Sequence, residues 1–231
     1  MAVDEALLLG CIAAGPVLRL YSWSAPCVSL GYRQKPPPWL DRARALGVPC
    51  VRRATGGGSV LHGTDLTYAV AAPRGCPGIP DDMRGSYEWI RERLLAALRQ
   101  AGIHADPSRA ERRAASAEVC FSASTGLEIE AAGIKLVGSA QRRTRQAFLQ
   151  HGSIRRGDDA TLERALFGVA SEAPPLGAWD AGALRAALVQ AFEAALGRVL
   201  EPSVLTAEEL ACARVRMQAR SSDPLALPPL A

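Results

Sequence analysis

A thiol, an amine and an imidazole lie on neighbouring predicted strands in the middle of the chain. Cys120 stands in Val119-Cys120-Phe121, Lys135 in Gly133-Ile134-Lys135, and His151 in Gln150-His151-Gly152. A cysteine thiolate is a strong nucleophile, and a nearby cation such as Lys135 lowers the pKa of a cysteine. This set predicts nucleophilic catalysis by Cys120. The alternative is structural: Cys120 as a buried thiol, and His151 as a core histidine bonded to the backbone.

Lys135 is harder to explain as a structural residue, because lysine is rare in this chain. Of the 27 basic residues only Lys35 and Lys135 are lysines, and asparagine is absent. Arginine therefore stands wherever a positive charge suffices, whereas lysine supplies a compact point charge that arginine cannot. Lys35 lies beside three prolines in a loop. Lys135 lies within an apolar strand pattern, where a charge is costly unless it has a use.

A glycine run joins two predicted strands in the first third of the chain. The segment reads Arg52-Arg53-Ala54-Thr55-Gly56-Gly57-Gly58-Ser59-Val60-Leu61-His62. Three glycines allow a tight turn and close approach to a ligand, and their N–H groups can bind an anion or a carbonyl. The run matches neither a P-loop nor a dinucleotide-binding turn. Taken alone, it is also compatible with an ordinary hairpin loop.

The elements that position these residues do not alternate regularly along the chain. Apolar periodicity predicts helices at 3–14, 39–46, 87–101 (capped by Ser86), 160–167, 181–196 and 206–217. Strands are predicted at 17–21, 27–32, 48–53, 66–71, 118–121, 127–131, 134–141 and 147–154, with Ala132-Gly133 turning the 127–141 pair. This order predicts an α+β domain with a mixed, largely antiparallel central sheet flanked by helices. Residues 1–220 form one predicted domain, and 221–231 a loose tail.

Composition and charge exclude several classes of protein. Hydrophobic residues make up 48%, and the net charge is only 27 − 23 = +4 with 5% aromatics, so nucleic acid is not an expected partner. The uncharged stretch 6–18 is too short to span a membrane. The six cysteines are widely spread and contain no Cys-x-x-Cys pair, so we expect no metal site and a reduced, cytoplasmic protein.

Four ordered segments together resemble one superfamily, the lipoate-protein ligase, octanoyltransferase and biotin-protein ligase catalytic domain. They are 1–8 (Met-Ala-Val-Asp-Glu-Ala-Leu-Leu), 52–62 with the glycine run, 133–141 (Gly-x-Lys-x-x-Gly-Ser-Ala-Gln), and 149–153 (Leu-Gln-His-Gly-Ser). The resemblance covers nearly the whole chain. It implies the superfamily's mixed sheet with flanking helices, an acyl-chain tunnel near the glycine run, and a lipoyl-domain lysine as acceptor. Met1 corresponds to a position inside the family's first helix, so an earlier strand is expected to be absent.

Within the superfamily, Cys120 before Gly-x-Lys is similar to the cysteine-dependent octanoyltransferases. The resemblance implies transfer of an octanoyl group from acyl carrier protein to a lipoyl domain (glycine-cleavage H protein or a 2-oxoacid dehydrogenase E2), without a cofactor. It implies that Cys120 is the nucleophile and that Lys135 orients the acyl carbonyl and helps activate the amine. The implied acyl-site residues are Arg53, Gly56, Gly57, Gly58, His62, Gly138, Ser139, Gln141, His151 and Gly152. No metal, membrane or second protomer is implied.

The resemblance leaves the reaction open. The family usually has aspartate after the motif histidine, and Gly63 stands there instead, so that carboxylate is lost or replaced by Asp65. The triple glycine and the Cys-Phe pair also resemble ATP-dependent lipoate-protein ligases. Such an enzyme would use ATP and Mg²⁺, with the arginines of the glycine segment facing a phosphate. A non-catalytic acyl-binding relative is the second alternative, and the joint presence of Cys120 and Lys135 argues against it.

Overall fold

The computed structural model describes residues 1–108, 127–157, 159–172, 174, 176 and 179–221. The predicted strand at 118–121, which contains Cys120, and residues 222–231 of the predicted tail lie outside this range. In the described part, six helices and nine strands position the site. No helix of that part is long and apolar enough to cross a membrane.

The helices are α1 (Ala2–Ala14), α2 (Leu40–Ala45), α3 (Met83–Gln100), α4 (Ala160–Phe167), α5 (Ala181–Leu196) and α6 (Ala207–Ser221). The strands are β1 (Val17–Tyr21), β2 (Cys27–Leu30), β3 (Cys50–Arg52), β4 (Val60–His62), β5 (Leu66–Pro73), β6 (Asp106–Pro107), β7 (Ile129–Ala131), β8 (Ile134–Arg143) and β9 (Ala147–Ile154).

The strands form two sheets. The larger has the order β1-β5-β9-β8-β7-β6, and its pairs are antiparallel. The smaller has the order β3-β2-β4, in which β2 and β3 run parallel. The predicted α+β fold with a mixed, largely antiparallel sheet is confirmed, and the parallel pair described here lies in the small sheet. Ala132 and Gly133 turn β7 into β8 with φ angles of 51° and 78°.

The main core lies between the large sheet and helices α3 and α5. Tyr68 of β5, Phe148 of β9, Ile90 of α3 and Leu188 of α5 are all fully buried there. Such burial stabilises the fold by about 1.5–3 kcal/mol for each large apolar side chain. Helix α1 covers the opposite face, where Leu8 and Cys11 pack against strands β5 and β9.

Helix α6 packs on the outside of α1 and fixes it. A capping box starts α6: Glu209 N donates to Thr206 Oγ1 (3.1 Å), and Thr206 N donates to Glu209 Oε2 (2.8 Å). Further along α6, Arg216 Nη1 lies 3.0 Å from Oε2 of Glu5, a buried residue of α1. The position of α1 therefore depends on a helix about 200 residues later in the chain.

Some local predictions were wrong, and several bounds shift by a few residues. Helix α3 begins after Asp82, whose side chain accepts from Gly85 N (2.7 Å); Ser86, predicted as the cap, lies inside the first turn and donates to Asp82 O. Strand β4 was not predicted, because three residues are too few to show alternation. Ser221, placed in the tail by the sequence, belongs to α6.

Candidate active site

The antiparallel pairing of β8 and β9 brings two sequence motifs together. Gly138 lies opposite Ser153, and Ala140 lies opposite His151. Strand β5 pairs with the other edge of β9, where Thr67 lies opposite Ser153. The face of these three strands that carries Thr67, His151 and Ser153 therefore forms one wall of the candidate site. The small sheet forms the facing wall, with Ser29 of β2 and Val60 and His62 of β4.

Arg52 and Arg53, which precede the glycine run, bind backbone carbonyl groups of this run and of the loop after β2. Arg53 Nη2 donates to the carbonyl oxygens of Gly56 and Gly58 (both 2.7 Å), and Nη1 donates to Ser29 O (3.0 Å). Arg52 Nη1 donates to three carbonyl oxygens of the loop after β2: Gly31 (2.7 Å), Tyr32 (3.1 Å) and Gln34 (2.7 Å). Both side chains are buried. Through these hydrogen bonds both arginines fix the backbone of the two loops.

Asp65 receives four hydrogen bonds in the wall of the site. His62 Nδ1 (2.8 Å), Thr67 Oγ1 (2.9 Å) and Ser153 Oγ (2.7 Å) contact its Oδ2, and Gly63 N donates to its Oδ1 (3.0 Å). Burial alone would raise the pKa of Asp65, but the hydrogen bonds from His62 and the other donors lower it below its ordinary value. This contact supports the expectation that Asp65 supplies the carboxylate that is missing at Gly63.

The partners of His62 define its hydrogen-bonding state. Ser29 Oγ accepts from Arg53 Nη1 (3.1 Å) and lies 2.8 Å from His62 Nε2. Arginine has only donors, so Ser29 Oγ accepts from Arg53. Ser29 and Asp65 contact the two ring nitrogens of His62 and thereby fix the orientation of the imidazole. The indole of Trp23 stacks on its ring at 4.2 Å and 17°.

His151 has a similar environment on the other side of the site. Its Nδ1 lies 3.0 Å from Oδ2 of Asp4, and its Nε2 lies 2.6 Å from Thr55 Oγ1. Burial lowers the pKa of His151, so the imidazole is neutral near pH 7, with Nδ1–H donating to Asp4 and Thr55 donating to Nε2. Burial would raise the pKa of Asp4, but the surrounding positive charges and the bond from His151 lower it.

A narrow cavity of about 30 Å³ lies between these two histidines. Six of the residues predicted to bind the acyl chain line it: Arg53, His62, Gly138, Ser139, His151 and Gly152. Gly56, Gly57 and Gly58 are not among its described lining residues. Gln141 is not among them either: its Nε2 donates to Ser86 Oγ and Gln150 Oε1 (both 3.1 Å).

Lys135 lies at the start of β8 beside a buried carboxylate. Its Nζ is 3.3 Å from Glu128 Oε1, and the side chains are 11% and 3% exposed. Lys135 is not among the described residues that line the narrow cavity. Cys120, its predicted partner in catalysis, lies outside the described residues, so the pairing of the two stays a prediction.

A wider cavity of about 230 Å³ adjoins the narrow one. His62 and Ser153 line both, so the two spaces share a wall. The wider cavity reaches from Trp23 and the end of β4 to the first turn of α4. In the part of the chain that the structure describes, no group of three His, Cys, Asp or Glu side chains is placed to hold a metal ion.

Sequence reasoning missed three contributors to the site: Trp23, Ser29 and Thr67. Asp4 was quoted only as part of the first motif, with no role. Several of their contacts join distant parts of the chain: Ser29 reaches His62 33 positions away, and Asp4 reaches His151 147 positions away. A buried acid in an otherwise apolar helix was the available signal for Asp4, since a charge placed there requires a partner.

The chain is similar to known proteins over most of its length. The model of the lipoyl protein ligase A/B catalytic domain matches residues 1–172. A protein named octanoyltransferase LipM from Kyrpidia tusciae is 37% identical, with 90% of this chain and 86% of the relative covered. Another of that name, from Geobacillus kaustophilus, is 34% identical, with 91% and 86% covered.

Solved structures share the fold. Lipoate-protein ligase A bound with ATP superimposes with a TM-score of 0.73 at 23% identity, covering 94% of this chain and 87% of the other. A second structure comes from an analysis of the bi-partite lipoate protein ligase of Thermoplasma acidophilum and its E2 lipoyl domain. It gives a TM-score of 0.72 at 18% identity and covers 100% of this chain and 94% of the other. At these identities the likeness concerns the fold alone.

Proposed function

Since the chain belongs to the family of lipoyl protein ligase A/B catalytic domains and is an acyltransferase, we propose that it transfers an octanoyl group from acyl carrier protein to a lipoyl-domain lysine through a thioester on Cys120. The observation that carries this proposal is the similarity to octanoyltransferases along nine-tenths of the chain. The acceptor is the glycine-cleavage H protein or a 2-oxoacid dehydrogenase E2. The reaction takes place in the cytoplasm.

The reaction proceeds in two steps. First, the Cys120 thiolate attacks the carbonyl carbon of the octanoyl thioester, a carbon–sulfur bond to Cys120 forms, and the donor leaves as a thiolate. Second, the neutral amine of the acceptor lysine attacks the same carbon, a carbon–nitrogen bond forms, and Cys120 leaves as a thiolate. The acceptor ammonium loses two protons in all: the first to solvent before the attack, and the second to solvent or to the released thiolate after it. No ATP is consumed, because the energy of the thioester drives amide formation.

Three of the other cysteines are poor candidates for the nucleophile. Burial raises the pKa of Cys11 and of Cys27 to about 12, and it also raises the pKa of Cys50. Thiols with a raised pKa are protonated near pH 7 and react slowly. These three cysteines would therefore not compete with Cys120 for the acyl group.

Lys135 contributes a positive charge next to the acyl carbonyl. The Glu128 carboxylate, 3.3 Å away and almost fully buried, holds the ammonium at the start of β8. Because a charge in a weakly screened environment acts strongly on a developing oxyanion, an ammonium there stabilises the tetrahedral intermediates of both steps. Glu128 is a positioning residue in this scheme.

The acyl chain lies in the narrow cavity between His62 and His151. Gly138 and Gly152 line this cavity, and Val60 and Ala140 provide apolar surface. The imidazole of His151 carries no charge near pH 7, because burial lowers its pKa. A chain of eight carbons requires more than 30 Å³, so side chains of the walls must move aside when it binds.

The test is formation of an acyl-enzyme. The protein is incubated with octanoyl-acyl carrier protein, without ATP or acceptor, and its intact mass is measured. One octanoyl group is expected, and neutral hydroxylamine should remove it. Cys120→Ser should abolish both the adduct and transfer, whereas Cys50→Ser, a half-buried cysteine, serves as the matched control and should retain both.

Two results would contradict the proposal. A Cys120→Ser protein that remains active and needs ATP and Mg²⁺ to attach free lipoate would identify an ATP-dependent ligase. Absence of both adduct and transfer under all conditions, with acyl chains still bound, would identify a non-catalytic acyl-binding protein.

A further inference from the structure

We propose that the wider cavity receives the side chain of the acceptor lysine as an ammonium ion, an inference that rests on the transfer to a lipoyl-domain lysine proposed above. The cavity lies directly beside the acyl site. His62 and Ser153 line both spaces, so an occupant of the wider cavity faces the acyl group across these two side chains.

The size of the cavity fits one flexible side chain. Its volume is about 230 Å³. Pockets for drug-sized ligands range from about 300 to 1,000 Å³. Four methylene groups and an ammonium fit the smaller space, and the apolar surfaces of Pro26, Leu61 and Leu162 in its wall suit the methylene chain.

The charge of the wall favours a cation. The described lining contains the carboxylates of Asp65, Asp159 and Glu163 and one guanidinium, that of Arg155, so these four groups sum to −3 + 1 = −2. Asp65, Glu163 and Arg155 are buried, so water and salt screen their charges only weakly. An ammonium gains from this field, whereas a triphosphate or the phosphate of a phosphopantetheine arm is repelled.

Backbone contacts hold the charged groups in place around the cavity. Asp159 Oδ1 accepts from Leu162 N (2.9 Å) at the start of α4, and Glu163 Oε2 accepts from Ser171 N (2.6 Å). Arg155 Nη1 donates to Glu172 O (2.9 Å). Asp65 already accepts four hydrogen bonds, so it contributes its negative charge to the cavity. Asp159 and Glu163 lie on the α4 side of the cavity.

An indole side chain also lies in the wall of the wider cavity. Trp23 lines the wider cavity and is fixed on both sides, since its ring stacks on His62 and its Nε1 donates to Thr67 Oγ1 (2.9 Å). A cation within about 6 Å of an indole centre is attracted by its electron-rich face. Carboxylates, an indole and apolar walls together make a site for a primary ammonium on an alkyl chain.

The experiment measures binding without chemistry, so that it can fail independently of the proposed thioester. Apo lipoyl domain, and the same domain with its acceptor lysine replaced by glutamine, are titrated calorimetrically into the wild-type protein and into the double variant Asp159→Asn/Glu163→Gln. The amide oxygens of the variant preserve the two backbone contacts and remove both charges. The matched control is Asp180→Asn/Glu193→Gln, which changes the net charge equally at two similar contacts, to Gly182 N and Leu200 N, outside the cavity.

Loss of the acceptor lysine is expected to weaken binding about 3- to 10-fold for the wild type and for the control, and less than about twofold for the cavity variant. Equal losses in all three proteins would overturn the inference. Displacement of the bound lipoyl domain by ATP would also overturn it. The same holds if the cavity variant binds the lipoyl domain as the wild type does and only its loading from octanoyl-acyl carrier protein is slower. If the double variant does not fold, Asp159→Asn alone, at an exposed helix cap, must show the same direction.

Discussion

Gly31 packs so closely against Gly57 that a Cβ atom at Gly31 would overlap the carbonyl oxygen of Gly57. The loop after β2 and the glycine run are therefore in backbone contact. Arg52 holds the carbonyl of Gly31, and Arg53 holds the carbonyls on both sides of Gly57. Gly57 itself has a φ of 93°, a conformation that favours glycine.

Gly31→Ala should displace the glycine run and destabilise the protein by about 1–3 kcal/mol, as overpacking of a tight contact does. Octanoyl loading should fall with it. Gly56→Ala is the control for stability, because a Cβ there meets nothing within 4 Å. Its free energy of unfolding in urea should stay within about 0.5 kcal/mol of the wild type. Equal stability of the two variants would show that the loops separate easily.

Asp65→Asn should destabilise the protein by about 1–3 kcal/mol, because the amide group cannot accept every hydrogen bond that the carboxylate accepts, and a buried donor is left unsatisfied. The orientation of His62 is lost as well, so acyl transfer should slow. Asp41→Asn, at an exposed aspartate whose side chain is 89% accessible, is the matched control and should have little effect. Chemical denaturation of the three proteins decides the comparison.

His151 should make the stability of the protein depend on pH on the acid side of neutrality. Burial lowers its folded-state pKa, so below about pH 6.5 the unfolded chain binds a proton that the folded protein does not. The free energy of unfolding should then fall with decreasing pH, by at most about 1.4 kcal/mol per pH unit. Asp4 and Asp65, whose pKa values are lowered, lose their stabilising contribution only below about pH 4.

The measurement is the melting temperature between pH 7 and 4.5. His151→Gln should flatten the slope in this range, whereas His104→Gln, at an exposed position, should leave the wild-type slope in place. Parallel curves for the wild type and His151→Gln would show that the imidazole is protonated within the fold.

Lys135→Arg separates a structural ion pair from a catalytic ammonium. Arginine retains the charge beside Glu128, so the melting temperature should change little. The planar guanidinium does not reproduce the point donor, and transfer should fall on the order of 10²-fold, as for the loss of one oxyanion donor. Octanoyl transfer to the lipoyl domain is followed by mass spectrometry. Normal turnover by the arginine variant would restrict Lys135 to its contact with Glu128.

The sequence predicted the elements whose patterns are local. Helix α5 and strand β9 have the predicted bounds, because apolar periodicity, caps and turns lie within each segment. The cap at Asp82 was missed, since Ser86 offered an equally good local signal. In the site, motif residues such as His62 and His151 were found by resemblance, but their partners Ser29 and Asp4 reach them through tertiary contacts. Only the register of strands and the packing of α1 determine those contacts.

Helix α6 connects the C-terminal part of the chain to the acyl site. It follows the residues that match the family model, yet its Arg216 holds Glu5, the neighbour of Asp4, and its Glu209 lies against Gly10. A chain shortened before residue 207 would uncover one side of α1 and loosen the Asp4–His151 contact. A boundary chosen from motif coverage alone would thus remove a remote support of the substrate pocket. Such a truncated protein would lose activity as an active-site variant does, although every motif residue would still be present.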